Sequence, residues 1–251
     1  MFEKELKLAK ESGRKAGDIL KKKEEMEIDS QTGKDIKLNS DRMSEKVIVD
    51  ILKETRYPIL SEEMGLLEGN DNEYMWIIDP LDGSANYWKG MNELCCTSIA
   101  LWRNGRPVLG VVNRFFAGEL YYGVVGMGAW KNECNITTSN TAYPSDAVLA
   151  TGFPVHRDYS ENGLKGFIRD IQNFKKVRML GAAAVMGAFV AEGKIDAYME
   201  DEIMLWDIAA SSALVMAAGG VAEIKGLTDY KCICRLFANE ELKGNYYADG
   251  V

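Results

Sequence analysis

The segment 76–87 constrains this 251-residue chain more than any other part of its sequence. Its apolar start, residues 76–78, predicts a buried strand that ends at two carboxylates three positions apart, Asp79 and Asp82. Gly83 follows and allows the backbone to pass close to a ligand. Carboxylates at the end of a strand, followed by an amide-rich turn, can hold a hard cation beside a phosphate.

The turn after this strand has two interpretations. Pro80 stiffens it, and Ser84 adds a hydroxyl where a new helix is predicted to begin. In the first interpretation the free amides of that helix cradle a phosphate beside a cation. In the second, the two aspartates only cap the helix. An isolated Asp-x-x-Asp-Gly motif favours capping, so the choice depends on the rest of the sequence.

Three other segments carry a family resemblance. Ser61-Glu62-Glu63 lies upstream, Trp206-Asp207 opens a small-residue helix that ends in Gly219-Gly220, and residues 181–184 read Gly-Ala-Ala-Ala. Together with residues 79–84, which read Asp-Pro-Leu-Asp-Gly-Ser, they resemble the motifs of the inositol monophosphatase family. This is a family of Mg²⁺-dependent, lithium-sensitive phosphatases. The similarity runs from the first predicted helix to about residue 239.

The resemblance implies an α/β fold, the layered αβαβα sandwich of inositol monophosphatases and fructose-1,6-bisphosphatase. Residues 1–140 would form an α+β half that carries Glu62 and the 79–84 motif. Residues 141–251 would form an α/β half that carries Asp207 and the substrate pocket. The active site is then expected between the two halves.

The hydrophobic pattern predicts individual elements of such a fold. Helical spacing covers residues 3–25, and a second amphipathic helix is predicted from Asp41. A turn-rich stretch, 29–33, lies between them. Asn104-Gly105 predicts a tight hairpin turn in a dense β region. From residue 147 to residue 224, helices and strands alternate.

The resemblance assigns five metal ligands, all of them oxygen donors. Asp79 would bridge two ions. Glu62 and the Leu81 carbonyl would complete the first ion's ligands, and Asp82 and Asp207 the second's. Such donors favour two or three Mg²⁺ ions, or Mn²⁺ in their place, over zinc. Asp207 also fits a helix N-terminal carboxylate favoured by the helix dipole, which is compatible with a ligand role.

The same resemblance makes Glu62, Asp41 and Ser84 the groups that position the attacking water, with Asp41 accepting the Ser84 hydroxyl proton. Serine stands where the family usually has threonine, so the hydroxyl is kept and the β-branch is lost. We expect activity to survive this change. Considered alone, Asp41 would be a helix N-cap. His156, the single histidine, is interpreted as a surface residue, which leaves base chemistry to carboxylates or activated water.

The amides of Gly83 and Ser84 are expected to cradle the phosphate, and Glu200 to bind hydroxyls of the alcohol. Tight helix packing is the alternative for residues 181–184. Asp201-Glu202 add negative charge where bisphosphatases would want a cation, which favours the monophosphate of a neutral polyol or sugar. The predicted substrate-binding residues are Asp82, Gly83, Ser84, Gly181, Ala182, Ala183, Glu200 and Asp207.

The bulk properties limit the partners. A formal net charge of −8 argues against nucleic acid, and no apolar run approaches the length of a membrane span. Five cysteines without zinc-ligand spacing favour reduced thiols in a cytoplasmic protein. The family resemblance and an aromatic-rich β region predict a homodimer. Packing of those aromatic residues in the interior is the alternative.

Three functions are compatible with these observations. The first is a Mg²⁺-dependent phosphomonoesterase for an inositol, sugar or polyol monophosphate. The second is a bisphosphatase for a 3′(2′),5′-bisphosphate nucleotide or fructose 1,6-bisphosphate. The third is a catalytically silent, metal-dependent binding protein. Loss of a ligand would favour the third, and all of the acidic positions are present.

Overall fold

The computed structural model describes residues 2–22, 28–32, 35–153 and 158–248. His156 lies outside these ranges. Within them the chain forms seven α-helices and fifteen strands. The helices are α1 (Glu3–Lys22), α2 (Asn39–Leu52), α3 (Ser84–Trp88), α4 (Glu161–Gln172), α5 (Ala183–Ala191), α6 (Leu205–Ala217) and α7 (Glu240–Ala248). The strands are β1 (Ile28–Thr32), β2 (Asp35–Leu38), β3 (Ile59–Ser61), β4 (Gly65–Leu67), β5 (Tyr74–Asp82), β6 (Cys96–Arg103), β7 (Arg106–Arg114), β8 (Glu119–Val124), β9 (Gly128–Lys131), β10 (Cys134–Ile136), β11 (Val148–Ala150), β12 (Lys176–Arg178), β13 (Ala197–Met204), β14 (Val221–Gly226) and β15 (Lys231–Phe237).

The larger sheet has eight strands in the order β10-β9-β8-β7-β6-β5-β3-β4. Its pairs are antiparallel except for β3 and β5, which run parallel. The predicted Asn104-Gly105 turn is confirmed: it joins β6 to β7 with φ values of 49° and 73°. Both residues are in the left-handed region, as tight hairpin turns of the mirror-image type require.

Strand β5 differs from the expectation that it ends at Ile78. It continues through the acidic motif to Asp82, buried along its last seven residues. Asp79 pairs with Ser98 and Asp82 with Cys96, so the register shifts between the two aspartates. Pro80 lies in this irregular part, where its missing N–H removes no regular ladder bond.

The smaller sheet has five strands in the order β12-β11-β13-β15-β14. Strands β12, β11 and β13 run parallel, and β15 pairs antiparallel with both β13 and β14. The register between β13 and β15 shifts between Glu200 and Ile203, and Glu202 has a φ of 58°. This irregularity changes the direction of the side chains beside Glu200.

The helices and sheets form five layers, which confirms the predicted αβαβα sandwich. Helices α1 and α2 cover one face of the larger sheet. Helices α5 and α6 lie between the sheets, and their nearly uniform apolar surfaces suit burial on both sides. Helices α4 and α7 cover the outer face of the smaller sheet.

Other expectations differ in detail. Residues 29–32 of the segment expected as a turn belong to strand β1, and Gly33 lies outside the described residues. The aromatic residues of the β region are buried or half-buried, which favours the interior alternative and removes them as evidence for a dimer surface. The division into halves near residue 140 stays a prediction. The two sheets fall on either side of it, but one apolar cluster contains residues from both.

All five cysteines are free thiols, four of them buried and Cys134 exposed. Among the described residues, none of the helices is both long and apolar enough to cross a bilayer.

Gly110 provides a test of the contact between the larger sheet and α6. A Cβ at this position would lie 2.1 Å from the carbonyl oxygen of Ala210, so the helix backbone rests directly on β7. We expect Gly110→Ala to lower the free energy of unfolding by about 3 kcal/mol, because neither backbone can yield without repacking. Denaturant unfolding measures the loss.

The matched control is Gly166→Ala in α4, where an added Cβ meets no atom within 4 Å. There we expect a gain of up to about 1 kcal/mol, since alanine favours the helix. Equal effects of the two substitutions would contradict the close contact at Gly110.

Candidate active site

Two parallel strands bring the first acidic residues to one edge of the larger sheet. Glu62 directly follows β3, and Asp79 lies near the end of β5. The two strands pair with Ser61 opposite Ile78, so the residues that follow, Glu62 and Asp79, are neighbours. After burial, the negative charge of Glu62 is the largest cause that raises the pKa of Asp79.

Asp79 is almost completely buried, and its Oδ1 accepts a hydrogen bond from the Leu81 amide at 2.9 Å. Burial raises its pKa well above the usual range, and the negative charges of Glu62, Asp82 and Asp207 raise it further. The aspartate therefore faces three like charges in a site with little water. A cation is the group that would relieve this repulsion.

Asp82 connects the acidic motif to the first turn of α5. Its Oδ1 accepts from the Ala183 amide at 3.2 Å, and its Oδ2 from the Ala184 amide at 2.8 Å. The Cys96 thiol donates to Oδ2 at 3.6 Å. Burial raises the pKa of Asp82 to about 6, although the hydrogen bonds from the amides and the thiol favour its ionised form.

Asp207 lies in the first turn of α6. Burial raises its pKa well above the usual range, and the charges of Glu62, Asp82 and Glu200 act in the same direction. A backbone hydrogen bond from Met204 lowers it. The structure thus places Asp207 in the electrostatic field of the other predicted ligands.

The chemistry of these groups suits a hard divalent cation. Every predicted donor is a carboxylate or carbonyl oxygen, as Mg²⁺ and Mn²⁺ prefer. Among the described residues no group of three or more His, Cys, Asp or Glu side chains is arranged so that it could hold a metal ion. The fit therefore rests on the chemistry of the donors alone.

The turn after the motif passes close to two other segments of the chain. Gly83 has a φ of 85°, and a Cβ there would lie 2.7 Å from the Leu94 carbonyl oxygen and 3.1 Å from Cβ of Ala182. Only glycine suits this conformation and this space. Helix α3 begins at Ser84, as the sequence predicts.

The Ser84 hydroxyl donates to the Leu81 carbonyl oxygen at 2.9 Å, and its predicted pairing with Asp41 stays a prediction. Asp41 is buried in the first turn of α2, which begins two residues earlier at Asn39.

The 181–183 segment lies beside the motif because of Asn86. Its Nδ2 donates to the carbonyl oxygens of Leu94, at 2.7 Å, and Leu180, at 2.8 Å. Gly181 has a φ of 73° and passes close to the same amide group. Ala182 is buried and precedes the first residue of α5, so both predicted interpretations of this segment, packing and pocket lining, fit its position.

Glu200 is buried on β13, and its carboxylate is held from two sides. The Tyr198 hydroxyl donates to Oε2 at 2.7 Å. A Cβ at Gly152 would lie 2.9 Å from both carboxylate oxygens, so the carboxylate packs against the Gly152 backbone. The neighbouring Asp201 pairs with Arg235 at 2.6 Å.

Sequence reasoning missed three residues that support this site: Glu45, Asn86 and Tyr198. Each gave a signal. Glu45 lies four positions after Asp41 on the helix face that Ile48 continues, where a carboxylate is unusual. Tyr198 is two positions from Glu200 on the same strand, which places both side chains on one face. Asn86 comes three residues after Gly83, but only the fold brings it to the 181–183 segment, so no local pattern pointed to it.

Comparisons with known proteins agree on one family. A model described as the inositol monophosphatase family matches residues 1–233. A protein named Nus factor SuhB from Pasteurella multocida strain Pm70 is 35% identical over 227 residues, covering 86% of this chain and 83% of that protein. A protein named inositol-1-monophosphatase from Mesorhizobium japonicum is 37% identical over 194 residues, covering 76% and 73%. The solved structure of an inositol monophosphatase from Anabaena (Nostoc) sp. PCC 7120 matches with a TM-score of 0.84 and 31% identity, covering 98% of this chain and 95% of that one.

The acidic site predicts a pH-dependent stability for the metal-free protein. The pKa of Asp82 rises from 3.8 to about 6 on folding, and those of Asp79 and Asp207 are raised well above their usual range. Raised values contribute stability below the ordinary pKa, and this stability is lost as the pH rises through the folded value. For Asp82 the change corresponds to about 3 kcal/mol. We therefore expect the unfolding temperature in chelator to fall from about pH 4 to about pH 6 as Asp82 ionises, with Asp79 and Asp207 acting in the same direction.

The Asp207→Asn variant isolates the contribution of the site, because it removes one of the like charges and leaves the rest of the chain unchanged. Its unfolding temperature in chelator should depend less steeply on pH. Circular dichroism measures both proteins. Identical slopes for the parent and the variant would contradict a repulsive acidic cluster.

Proposed function

The chain belongs to the inositol monophosphatase family, and on this basis we propose that it is a Mg²⁺-dependent phosphomonoesterase acting on an inositol, sugar or polyol monophosphate. The observation that supports this most strongly is the convergence of negative charge at Asp79, whose pKa is raised first by burial and then by the charges of Glu62, Asp82 and Asp207. Such a site attracts divalent cations first and a phosphate ester only after they are bound.

The proposed ligands are Glu62, Asp79, the Leu81 carbonyl, Asp82 and Asp207, with Asp79 between two ions. Bound Mg²⁺ would supply Lewis-acid activation of water and stabilise the charge on the leaving oxygen. The chain's own contribution is to hold these oxygen donors in a buried site where the charges interact strongly.

Three side chains are proposed to position the attacking water: Glu62, Asp41 and Ser84. In the present arrangement the Ser84 hydroxyl donates to the Leu81 carbonyl. A hydroxyl rotates about its C–O bond, so the Ser84 proton could turn from the Leu81 carbonyl to Asp41, and the Ser84 oxygen would then accept from the water.

The substrate would lie between the two halves of the chain. The amides of Gly83 and Ser84 are proposed to hold the phosphate, beside Asp82 and Asp207. Gly181, Ala182 and Ala183 are proposed to line the polyol pocket. These lining positions carry no charged side chain, which suits a neutral alcohol.

Glu200 is proposed to bind hydroxyls of the alcohol. Its carboxylate is held in one orientation by Tyr198 and the Gly152 backbone. The nearby cation Arg235 is already paired with Asp201. This pairing supports a monophosphate over the bisphosphate alternatives, because a second phosphate near Glu200 would have to compete for Arg235.

A second candidate is a binding role, favoured by the name Nus factor SuhB of the relative from Pasteurella multocida. Phosphate release from a panel of inositol and sugar phosphates, with and without Mg²⁺, separates it from the enzyme. Activity that requires Mg²⁺ supports the phosphatase. Its complete absence in a folded, metal-binding protein would favour the binding role.

Lithium inhibition, a homodimer and a cytoplasmic location remain part of the proposal. Lithium inhibition and the homodimer rest on the family resemblance, and the location on the five free thiols.

Asp79→Asn should abolish turnover and lower Mg²⁺ affinity, because it removes a charge shared by two cations. The same substitution at the exposed Asp146 is the matched control and should leave activity unchanged. Phosphate release by the Asp79 variant within about tenfold of the parent at saturating Mg²⁺ would contradict the bridging role.

Glu200→Gln should raise KM for a polyol monophosphate while leaving metal binding intact. A neutral amide loses the charge-assisted hydrogen bond, so the expected loss in kcat/KM is about 1–2 kcal/mol, or about tenfold. Tyr198→Phe removes the hydrogen bond that orients the Glu200 carboxylate. It should raise KM as well, with a smaller effect.

A phosphate ester without hydroxyl groups, such as p-nitrophenyl phosphate, serves as the control substrate. Its kinetics should change little in either variant. Equal losses for both substrates would show that Glu200 supports the fold or the metal site instead of the alcohol.

A further inference from the structure

The first two turns of α2 lie beneath both acidic segments of the site. Asp41, Ser44 and Glu45 are all buried there, with exposed fractions of 3%, 0% and 1%. Asp41 belongs to the proposed catalytic set. Ser44 and Glu45 do not, yet each makes a hydrogen bond to a segment that carries proposed metal ligands.

Glu45 contacts the turn that carries Glu62. Its Oε1 accepts a hydrogen bond from the Ser61 hydroxyl and another from the Met64 amide, the latter at 2.9 Å. Ser61 is the last residue of β3 and directly precedes Glu62, whereas Met64 follows Glu63. One carboxylate oxygen therefore holds the Glu62-Glu63 turn from both sides.

Ser44 makes the corresponding contact with the other acidic segment. Its hydroxyl donates to the Pro80 carbonyl at 3.0 Å, between Asp79 and Asp82. Adjacent residues of one helix thus bind the two segments whose carboxylates must meet. Because β3 and β5 also pair directly, a shift of either segment is opposed by both the sheet and the helix.

The buried carboxylate of Glu45 is energetically unfavourable at this position. Its second oxygen, Oε2, is buried and makes no hydrogen bond within the described part of the chain. A buried carboxylate with an unsatisfied oxygen destabilises the fold unless its other contacts compensate. The compensation consists of the two bonds to the Glu62 turn, so the contribution of Glu45 is concentrated at the site.

We propose that Glu45 is a positioning residue that fixes the 61–64 turn, and with it the carboxylate of Glu62 opposite Asp79. It does not touch the substrate. The inference rests on the proposed function, because it takes Glu62 to be a metal ligand. Groups that orient metal ligands commonly change metal affinity when they are lost, while substrate contacts remain in place.

The test compares Glu45→Ala with Glu45→Gln. We expect Glu45→Ala to weaken Mg²⁺ binding by about tenfold or more, since the turn loses both hydrogen bonds. Glutamine presents a carbonyl oxygen that can accept the same two bonds, so Glu45→Gln should stay within about threefold of the parent. Isothermal titration calorimetry with Mg²⁺ and with Mn²⁺ measures binding without substrate.

Two further variants separate positioning from general stability. Ser61→Ala removes one of the two bonds and should weaken Mg²⁺ binding less than Glu45→Ala does. Ser12→Ala is the control: it removes a buried hydroxyl that donates to the Ala9 carbonyl at 3.1 Å in α1. It should lower the unfolding temperature without changing Mg²⁺ affinity.

A folded Glu45→Ala protein whose Mg²⁺ affinity is within about twofold of the parent would overturn the inference. Equal weakening in the alanine and glutamine variants would also overturn it, because charge would then matter and not the two bonds. If Glu45→Ala does not fold, an unchanged Mg²⁺ affinity in Ser61→Ala would overturn the inference instead. A parent protein that binds Mg²⁺ but cleaves no phosphate ester would refute the proposed phosphatase. The role of Glu45 would then be decided by the Mg²⁺ affinities of the variants alone.

Discussion

The burial of like charges in one place is the constraint on which the rest of this structure depends. Asp79 and Asp82 are almost inaccessible to water, and the charges acting on Asp79 and on Asp207 include carboxylates on other elements. Such an arrangement is unfavourable unless the backbone holds it. Here the acidic motif is part of a central strand, and two amides of α5, the edge of β3 and the first turns of α2 support it. The layers of the fold can be understood as the means of keeping these oxygens together.

The sequence was most informative where the chemistry is local. Asp79 and Asp82 stand three residues apart, and the hairpin at Asn104-Gly105 needs no partner beyond its own strands. The layered architecture followed from the family resemblance and is confirmed by the structure and the comparisons. The roles of the site residues remain predictions.

What the sequence could not show depends on partners far along the chain. Strand β5 continues past Ile78 because β6 offers Ser98 and Cys96 as partners on either side of Pro80. Glu45 meets Ser61 and Met64 only when α2 packs under the sheet. In each case local preference was overridden by a contact between distant segments.

Asp82 gives the site a property that concerns the whole molecule. Its carboxylate is both a proposed ligand and the acceptor for two amides of α5, a helix that begins at Ala183. Whatever alters the electron density on those oxygens also alters how firmly the helix end is held. On the proposed function, cation binding at Asp82 and the packing of the first turn of α5 are therefore thermodynamically linked, so that a change in one changes the other. The hydrogen exchange rates of the Ala183 and Ala184 amides would then depend on whether the Asp82 carboxylate is protonated, ionised or bound to a cation.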